Sequence, residues 1–297
     1  MKREDLNIGK FPGYLWTPPV NPAAVILILH GMTEHAGRYE ELADFLTSHH
    51  YAMAAYDLPG HGRNSTPSDC AAMAPGDWNA AIDGIDSALS QLRGRFSCPV
   101  FLLGFSLGSF LAREYLQRPQ PKMDGLILVG TGWQPKWLLK IMKVIVRTQI
   151  KKVGFDHNSP LVQKLSFGAY NEKFKPNRTK SDWLCSDETA LDRYLSDPLC
   201  RSETASGTFY ELLCSMERTR TARPNVPLPV LLLSGDQDPV GNFGKSIAVV
   251  QKSLKAAGYP VEIQIFPGAR HMLLNEESGG QAEKARQYLL NWLHRHI

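Results

Sequence analysis

The sequence contains few cysteines, and they do not form the patterns that bind metals or build disulfide frameworks. There are five in 297 residues, and none lies in the close pairs that are typical of zinc sites and redox motifs. An odd number also argues against a complete set of disulfides. We therefore expect free thiols in a reducing compartment at Cys70, Cys98, Cys185, Cys200 and Cys214.

The chain also lacks a long hydrophobic segment and a strong excess of charge. Residues 1–5 lead to the first predicted strand without an apolar stretch, so we expect neither a secretory signal nor a membrane-spanning helix, and we predict a cytoplasmic location. A formal net charge of +4 is too small to indicate a nucleic-acid-binding protein. With 43% hydrophobic and 21% charged residues, and without internal repeats, the composition is that of a globular protein.

Short runs rich in valine, isoleucine and leucine alternate with amphipathic stretches of helix length. This alternation predicts an α/β fold, with a mostly parallel central sheet flanked by helices. The predicted strands are nearly continuous in apolar character, as expected for strands buried on both faces: 24–29, 52–56, 100–103, 125–129, 229–233 and 261–266. The predicted helices are 38–48, 77–93, 106–117, 244–257 and 281–296.

The alternation is interrupted once, between the strand that ends near Val129 and the strand that begins near Pro229. About a hundred residues there show short helical patterns, punctuated by proline and glycine, but no convincing buried strand. We predict a helical cap at residues 131–228, inserted into a catalytic core formed by residues 1–130 and 229–297. In such a fold the carboxyl ends of the strands form the edge where ligands bind.

A candidate nucleophile lies in the segment Gly104–Phe105–Ser106–Leu107–Gly108. It follows an apolar strand and opens a helix-compatible run, which is the setting that a Gly-x-Ser-x-Gly motif requires. A serine on this sharp turn has a strained backbone and an exposed hydroxyl. The motif alone is weakly specific, and the alternative is an ordinary turn serine.

A serine nucleophile needs a histidine to accept its proton and a carboxylate to orient that histidine. Asp238 follows the strand at 229–233, and His271 follows the strand at 261–266. The chain order serine, aspartate, histidine is the one expected for this fold. Taken singly, Asp238 could cap a helix and His271 could pair with Glu276. Asp236 is a rival acid, but the Gly-x-x-Asp spacing that starts at Gly235 favours Asp238.

The loop after the first predicted strand, His30–Gly31–Met32, lies where this fold supplies a backbone N–H to the oxyanion. We predict the amides of Met32 and Leu107 as the two donors. A plain turn at the end of the strand is the alternative.

Four segments together resemble the monoacylglycerol lipase and lysophospholipase group of α/β-hydrolases, of the serine aminopeptidase S33 type. They are residues 30–39, 56–63, 104–108 and 271–276. The cap stretches 170–174 and 178–184 look like those of bacterial members of this group, with Cys185 where a serine is expected. The resemblance implies an α/β-hydrolase fold, a monoacyl lipid or similar small ester as substrate, and no metal or organic cofactor. It also marks the turn that contains His61 as structural.

Residues 133–153 at the start of the predicted cap contain six basic residues and no acidic one. On a helix, Lys136, Lys140, Lys143, Arg147 and Lys151 share one face, and large apolar residues occupy the others. Such a helix can dock on an anionic lipid surface, from which a lipase would take its substrate. Alternatively, the apolar face covers the catalytic pocket and the lysines are merely solvated. The oligomeric state is left open.

These observations predict a serine hydrolase that cleaves carboxylic esters through an acyl-enzyme, most closely matching monoacylglycerol or lysophospholipid esters. A general carboxylesterase is one alternative. A proline-specific aminopeptidase is another, and it would need cap carboxylates to bind the amine of its substrate, for which the candidates are Glu172, Asp187, Glu188, Glu203 and Glu217. A non-catalytic binding module would tolerate loss of the triad, which is complete here. A haloalkane dehalogenase is disfavoured because its nucleophile is an aspartate.

Overall fold

A computed structural model shows the fold of this protein. Its centre is a sheet of eight strands with helices on both faces. The described residues are 1–65, 70–201, 203–274 and 280–297. The strands, in chain order, are β1 (Lys2–Ile8), β2 (Phe11–Thr17), β3 (Val25–Leu29), β4 (Ala52–Tyr56), β5 (Cys70–Ala71), β6 (Val100–Phe105), β7 (Gly125–Val129), β8 (Glu203–Thr204), β9 (Val230–Gly235) and β10 (Val261–Phe266).

The central sheet has the order β1-β2-β4-β3-β6-β7-β9-β10. In this order, every neighbouring pair from β4 through β3, β6, β7 and β9 to β10 is parallel. The pairs β1 with β2 and β2 with β4 are antiparallel. The helices are α1 (Glu40–Ser48), α2 (Asp77–Arg95), α3 (Leu107–Tyr115), α4 (Lys136–Val153), α5 (Pro160–Phe167), α6 (Glu188–Ser196), α7 (Ser206–Arg218), α8 (Lys245–Ala256) and α9 (Gln281–His294). The predicted α/β architecture with a mostly parallel sheet is confirmed.

The core consists of two apolar layers, one on each face of the sheet. Along β3, Val25 and Leu27 belong to the layer that includes α2, α3 and α8, whereas Ile26 and Ile28 belong to the layer that includes α1 and α9. Successive side chains of a strand point to opposite faces, so a strand covered by helices on both sides must be apolar at every position. This requirement explains why the central strands were legible as uninterrupted apolar runs.

The antiparallel hairpin of β1 and β2 was not predicted. Its first strand is strongly charged, and its second contains Pro12 and Gly13. Pro12 lies outside the segment of β2 that pairs with β4, so its missing N–H is tolerated there. A side chain at Gly13 would lie 2.4 Å from the carbonyl oxygen of Ala55, so the close approach of β2 to β4 requires glycine.

The insertion between β7 and β9 contains α4 to α7 and the short strand β8, which pairs in parallel with β5. Helix α4 buries only Leu139 and Val146. Its outward surface carries Trp137, Ile141 and Val144, which are 65%, 50% and 61% exposed.

The predicted basic face therefore borders an exposed apolar surface, and only part of the apolar residues of α4 packs against the rest of the insertion. Exposed Lys140 and Arg147 follow the outward apolar residues at helical spacing and share their surface. Lys143, by contrast, forms an ion pair with Glu217 of α7. The buried stripe of α4 is narrow, because only Leu139 and Val146 are buried, and the other apolar residues of the helix lie outside it.

No helix in the described ranges is both long and apolar enough to cross a membrane. Four cysteines, Cys98, Cys185, Cys200 and Cys214, are free thiols. The side chain of Cys70 lies outside the described part of the structure.

Candidate active site

Ser106 lies on the sharp turn between β6 and α3. Its backbone has φ 49° and ψ −114°, a conformation that is strained for a residue with a side chain. The flanking glycines make the turn possible. A Cβ on Gly104 would lie 2.5 Å from the carbonyl oxygen of Gly108, and a Cβ on Gly108 would lie 2.2 Å from that of Leu29. The tight elbow therefore follows from the two glycines of the motif.

His271 and Asp238 form a buried hydrogen-bonded pair. The Nδ1 atom of His271 lies 2.9 Å from Oδ2 of Asp238, and the two residues are 3% and 0% exposed. The other carboxylate oxygen of Asp238 accepts the N–H of Val240 at 2.8 Å. Because the carboxylate only accepts, Nδ1 of His271 carries a proton, and Nε2 is left as the basic atom.

Asp236, the rival acid, has a different role in the structure. Its Oδ1 accepts the N–H of Gly268 at 2.8 Å, on the loop that leads to His271. Asp238 is therefore the aspartate that contacts the histidine. Asn275 and Glu276, which end the fourth of the resembling segments and supplied the alternative partner for His271, lie outside the described residues.

The backbone around Ser106 brings the serine to the same edge as His271. The rings of Phe105 and His271 have centroids 4.9 Å apart. The N–H of Ser106 donates to the carbonyl of Val129 at 2.9 Å. A Cβ on the next residue, Gly130, would lie 2.9 Å from Cε1 of His271. The three predicted triad residues thus lie on the same edge of the sheet, at the carboxyl ends of β6, β9 and β10, with Asp238 and His271 in direct contact.

The two predicted oxyanion donors are backbone amides that remain available. Leu107 is the first residue of α3, where an N–H has no partner inside the helix. Met32 is half-buried, and its N–H makes no hydrogen bond with any residue that the structure describes. Leu107 directly follows Ser106 in the chain. On the other side, a Cβ on Gly31, the neighbour of Met32, would lie 2.9 Å from the ring of Phe105, so the Met32 segment lies next to the same turn.

His30 and His61 have structural roles. Nδ1 of His30 donates to the Gly31 carbonyl at 2.8 Å, and Nε2 accepts the N–H of Leu58 at 2.9 Å. Burial lowers the pKa of His30, which suits this neutral form. His61 donates from Nδ1 to the carbonyl of Pro59 at 2.8 Å, and burial lowers its pKa to about 3. His61 therefore braces its own turn, as the resemblance implied.

An aromatic cluster from the insertion covers the histidine. The ring of Trp183 lies 5.3 Å from that of His271, and the rings of Phe167 and Tyr170 lie 5.8 and 5.0 Å from Trp183. Phe209 of α7 extends the cluster at 5.3 Å from Phe167. This role has no signal in the sequence, because residues spread over several short elements show no periodicity. These rings give the site an apolar roof that suits an acyl chain.

Within the described residues, one group of three side chains has the composition of a metal site: His35, Asp197 and Cys200. His35 accepts the N–H of Gly37 on Nδ1 and so donates from Nε2 to Asp197 at 2.8 Å. Burial raises the pKa of the Cys200 thiol well above its ordinary value, which opposes the thiolate that a metal needs. The group joins the loop of residues 30–39 to the insertion, and the absence of a metal cofactor stays a prediction.

Comparisons with known proteins agree with this geometry. Human monoglyceride lipase is 27% identical over 263 residues, which cover 88% of this chain and 79% of that protein. A phospholipase of Bacillus subtilis is 36% identical over 116 residues, or 38% of this chain and 43% of that one. The crystal structure of a carboxyl esterase from Bacillus coagulans superposes with a TM-score of 0.84 at 23% identity, covering 100% of this chain and 99% of that chain.

These matches confirm both the α/β-hydrolase fold and the predicted resemblance to the monoacylglycerol lipase group. The sequence model of one protein family, described as serine aminopeptidase, S33, matches residues 20–278. Because the match spans most of the chain, this chain belongs to that family.

Proposed function

We propose that this protein hydrolyses carboxylic esters of monoacyl lipids, with Ser106 as nucleophile, His271 as base and Asp238 as the acid that orients it. The observation that carries the proposal is the buried Asp238–His271 pair beside a strained serine elbow. The broader prediction of a carboxylic ester hydrolase is confirmed by the family match and by the monoglyceride lipases among the relatives.

In the proposed reaction, Ser106 Oγ attacks the ester carbonyl while Nε2 of His271 takes its proton. The carbonyl oxygen becomes negatively charged, and the amides of Met32 and Leu107 stabilise it. The tetrahedral intermediate collapses, His271 gives the proton to the departing alcohol, and an acyl-enzyme remains. Water, deprotonated by His271, then attacks the acyl group; the bond between the acyl carbon and Ser106 Oγ breaks, His271 returns the proton to Oγ, and the fatty acid leaves. Throughout, Asp238 stabilises the imidazolium form of His271 by its charge.

A lipid ester fits the site better than a peptide amine. The roof of Phe167, Tyr170, Trp183 and Phe209 offers apolar surface above His271. The relatives named above include a monoglyceride lipase and a phospholipase. We therefore place monoacylglycerols first and lysophospholipids second, ahead of a general carboxylesterase activity.

The aminopeptidase alternative requires a carboxylate free to bind an amine. Glu172 and Glu188 are mostly exposed and pair with Lys175 and Arg178, respectively. Three further candidates are also engaged: Glu203 with Asn158, Glu217 with Lys143, and Asp187 as the cap of α6. These contacts support an ester substrate rather than an amino-terminal proline.

The test combines active-site labelling with a substrate panel. We expect a fluorophosphonate probe to label the wild type and to leave Ser106→Ala unlabelled. The variant should lose several orders of magnitude in kcat, because only binding and oxyanion stabilisation remain, worth about 10³–10⁴-fold over water. The panel compares monoacylglycerols, lysophosphatidylcholine, short p-nitrophenyl esters and proline p-nitroanilide. Faster cleavage of the anilide than of every ester would refute the proposal.

We further propose that α4 and α5 contact an anionic membrane surface peripherally. Exposed apolar side chains gather there: Trp137, Ile141 and Val144 on α4, with Leu161 and Leu165 on α5. Exposed Lys140, Arg147 and Lys151 lie on the same side of α4. Apolar residues among basic ones suit the boundary between acyl chains and headgroups.

The predicted cytoplasmic location stays a proposal, supported by the four free thiols.

A further inference from the structure

The Met32 loop, residues 30–39, carries one proposed oxyanion donor and is held firmly at Gly31. The N–H of Gly31 donates to Oε1 of Glu34 at 2.6 Å, and its carbonyl accepts Nδ1–H of His30 at 2.8 Å. These two hydrogen bonds restrain the backbone of an otherwise permissive residue. Because a trans peptide is planar, the N–H of Met32 must point away from the Gly31 carbonyl. The direction of the donor is thus set on its amino-terminal side.

On the carboxyl-terminal side of Met32, the donor depends on Thr33. The hydroxyl of Thr33 donates to the Met32 carbonyl at 2.5 Å. Thr33 has φ +64°, in the left-handed region that a β-branched residue rarely adopts. Such a conformation is strained and persists only when the surroundings enforce it. The loop therefore needs outside support at Thr33.

That support comes from the inserted segment. The hydroxyl of Tyr194, on α6, lies 2.7 Å from Oγ1 of Thr33. Since Thr33 has one hydroxyl hydrogen and gives it to Met32, Tyr194 must be the donor. Burial raises the pKa of Tyr194 well above its ordinary value, so the phenol keeps its proton. The N–H of Arg201, also in the insertion, donates to the Thr33 carbonyl at 3.0 Å.

Arg38 connects the two sides of the loop. Its Nη1 donates to Oε2 of Glu34 at 2.6 Å, and its guanidinium lies 4.9 Å from the centre of the Tyr194 ring. Glu34 is 1% exposed, and its Oε1 also accepts the hydroxyl of Tyr39 at 2.8 Å. The carboxylate that anchors Gly31 is therefore neutralised by the same cation that packs on the ring of Tyr194.

We propose that Tyr194 is a positioning residue for the oxyanion hole: through Thr33 it holds the N–H of Met32 in its catalytic direction. This inference rests on the proposed function, because it takes Met32 as an oxyanion donor. It gives the insertion a second role besides covering the acyl chain. A displacement of α6 would withdraw the Tyr194 hydroxyl and weaken stabilisation of the transition state without touching the triad.

The test uses the full-length protein and p-nitrophenyl butyrate, a substrate too short to depend on lipid preference. Loss of a whole oxyanion donor costs about 10²–10³-fold in kcat. A loosened donor keeps part of that stabilisation, so we expect Tyr194→Phe to lower kcat about tenfold with KM changed less than about twofold. Affinity for a boronic acid that forms a tetrahedral adduct on the serine should fall by the same factor.

A relay through Thr33 makes further outcomes specific. Thr33→Ser, which keeps the hydroxyl, should retain activity, whereas Thr33→Val should lose as much as Tyr194→Phe. The double variant Thr33→Val/Tyr194→Phe should lose no more than either single change, since both break one path. Tyr259→Phe is the matched control: it removes a hydroxyl that donates to the Arg223 carbonyl at 3.1 Å, outside the site.

The contrary results are equally distinct. A kcat for Tyr194→Phe equal to that of the wild type overturns the inference, and so does a loss that Tyr259→Phe shares. A rise in KM at constant kcat would assign Tyr194 to substrate binding and would likewise overturn it. Failure of the proposed function has a different signature, namely hydrolysis of the same ester by Ser106→Ala.

Discussion

The proposed membrane contact makes a quantitative prediction for α4. Lys140, Arg147 and Lys151 are exposed on one side of the helix, and none forms an ion pair within the described part of the chain. A basic residue near an anionic lipid surface contributes about 1 kcal/mol to binding. Replacing all three with glutamine should therefore weaken partitioning by about 3 kcal/mol, or about a hundredfold.

The assay is co-sedimentation with vesicles of phosphatidylcholine containing phosphatidylserine, compared with vesicles of phosphatidylcholine alone. The matched control changes Lys245, Lys252 and Lys255 of α8 to glutamine. These three lysines are exposed, and their replacement lowers the net charge of the protein by the same amount as the α4 variant does. We expect the control to bind almost as the wild type does. Raising the salt to about 1 M, where the screening length is about 3 Å, should bring the wild type close to the α4 variant.

The apolar part of the surface can be tested separately. Val144 and Val226 are 61% and 59% exposed, so Val144→Ser and Val226→Ser are closely matched changes. We expect only Val144→Ser to reduce binding, by about 1 kcal/mol, and to do so on both vesicle types because the contribution is not electrostatic. Equal binding by the α4 and α8 triple variants, together with equal effects of the two serine variants, would refute the reasoning.

Three further predictions concern the core and the site. Asp238→Asn should lower kcat by about 10³–10⁴-fold with folding retained, because it disturbs the tautomer of the base; Asp236→Asn, whose amide oxygen can still accept the Gly268 N–H, should lose less than about tenfold. Gly108→Ala should reduce the free energy of unfolding, measured with urea, by at least about 1–3 kcal/mol because its Cβ meets a strand carbonyl at 2.2 Å. Gly94→Ala, with nothing within 4 Å, should leave it unchanged or raise it by up to about 1 kcal/mol. The folded protein keeps His61 neutral to about pH 3, whereas the unfolded chain takes up a proton near 6.5, so stability falls as the pH drops through this range. His61→Asn should make that decline shallower, and an unchanged slope in urea unfolding would contradict the assignment.

The central sheet and the elbow could be predicted because their causes are local. A strand buried on both faces must be apolar throughout, as β3 is, and the turn at Ser106 needs glycine on both sides within five residues. The amino-terminal hairpin could not be read in this way. Its strands carry charge, proline and glycine, and they are strands only because β4 presents an edge for them to pair with.

The support of the Met32 loop was invisible to sequence reasoning for a different reason. Thr33 and Tyr194 are 161 positions apart in the sequence. Neither residue type is unusual in its local segment, and the positive φ of Thr33 has no glycine to mark it. Only the folded arrangement shows that a strained loop residue has a donor from the insertion.

The choice between the two aspartates shows how a short motif can encode two functions at once. Asp236 and Asp238 follow the same strand, and spacing alone favoured the second. In the structure Asp238 contacts the His271 ring, while Asp236 accepts the N–H of Gly268, three residues before the histidine. In the proposed mechanism Asp238 orients the base, and Asp236 holds the loop that leads to it. The loop position is therefore set independently of the charge on Asp238, which is why Asp238→Asn should impair the chemistry of the site without displacing His271.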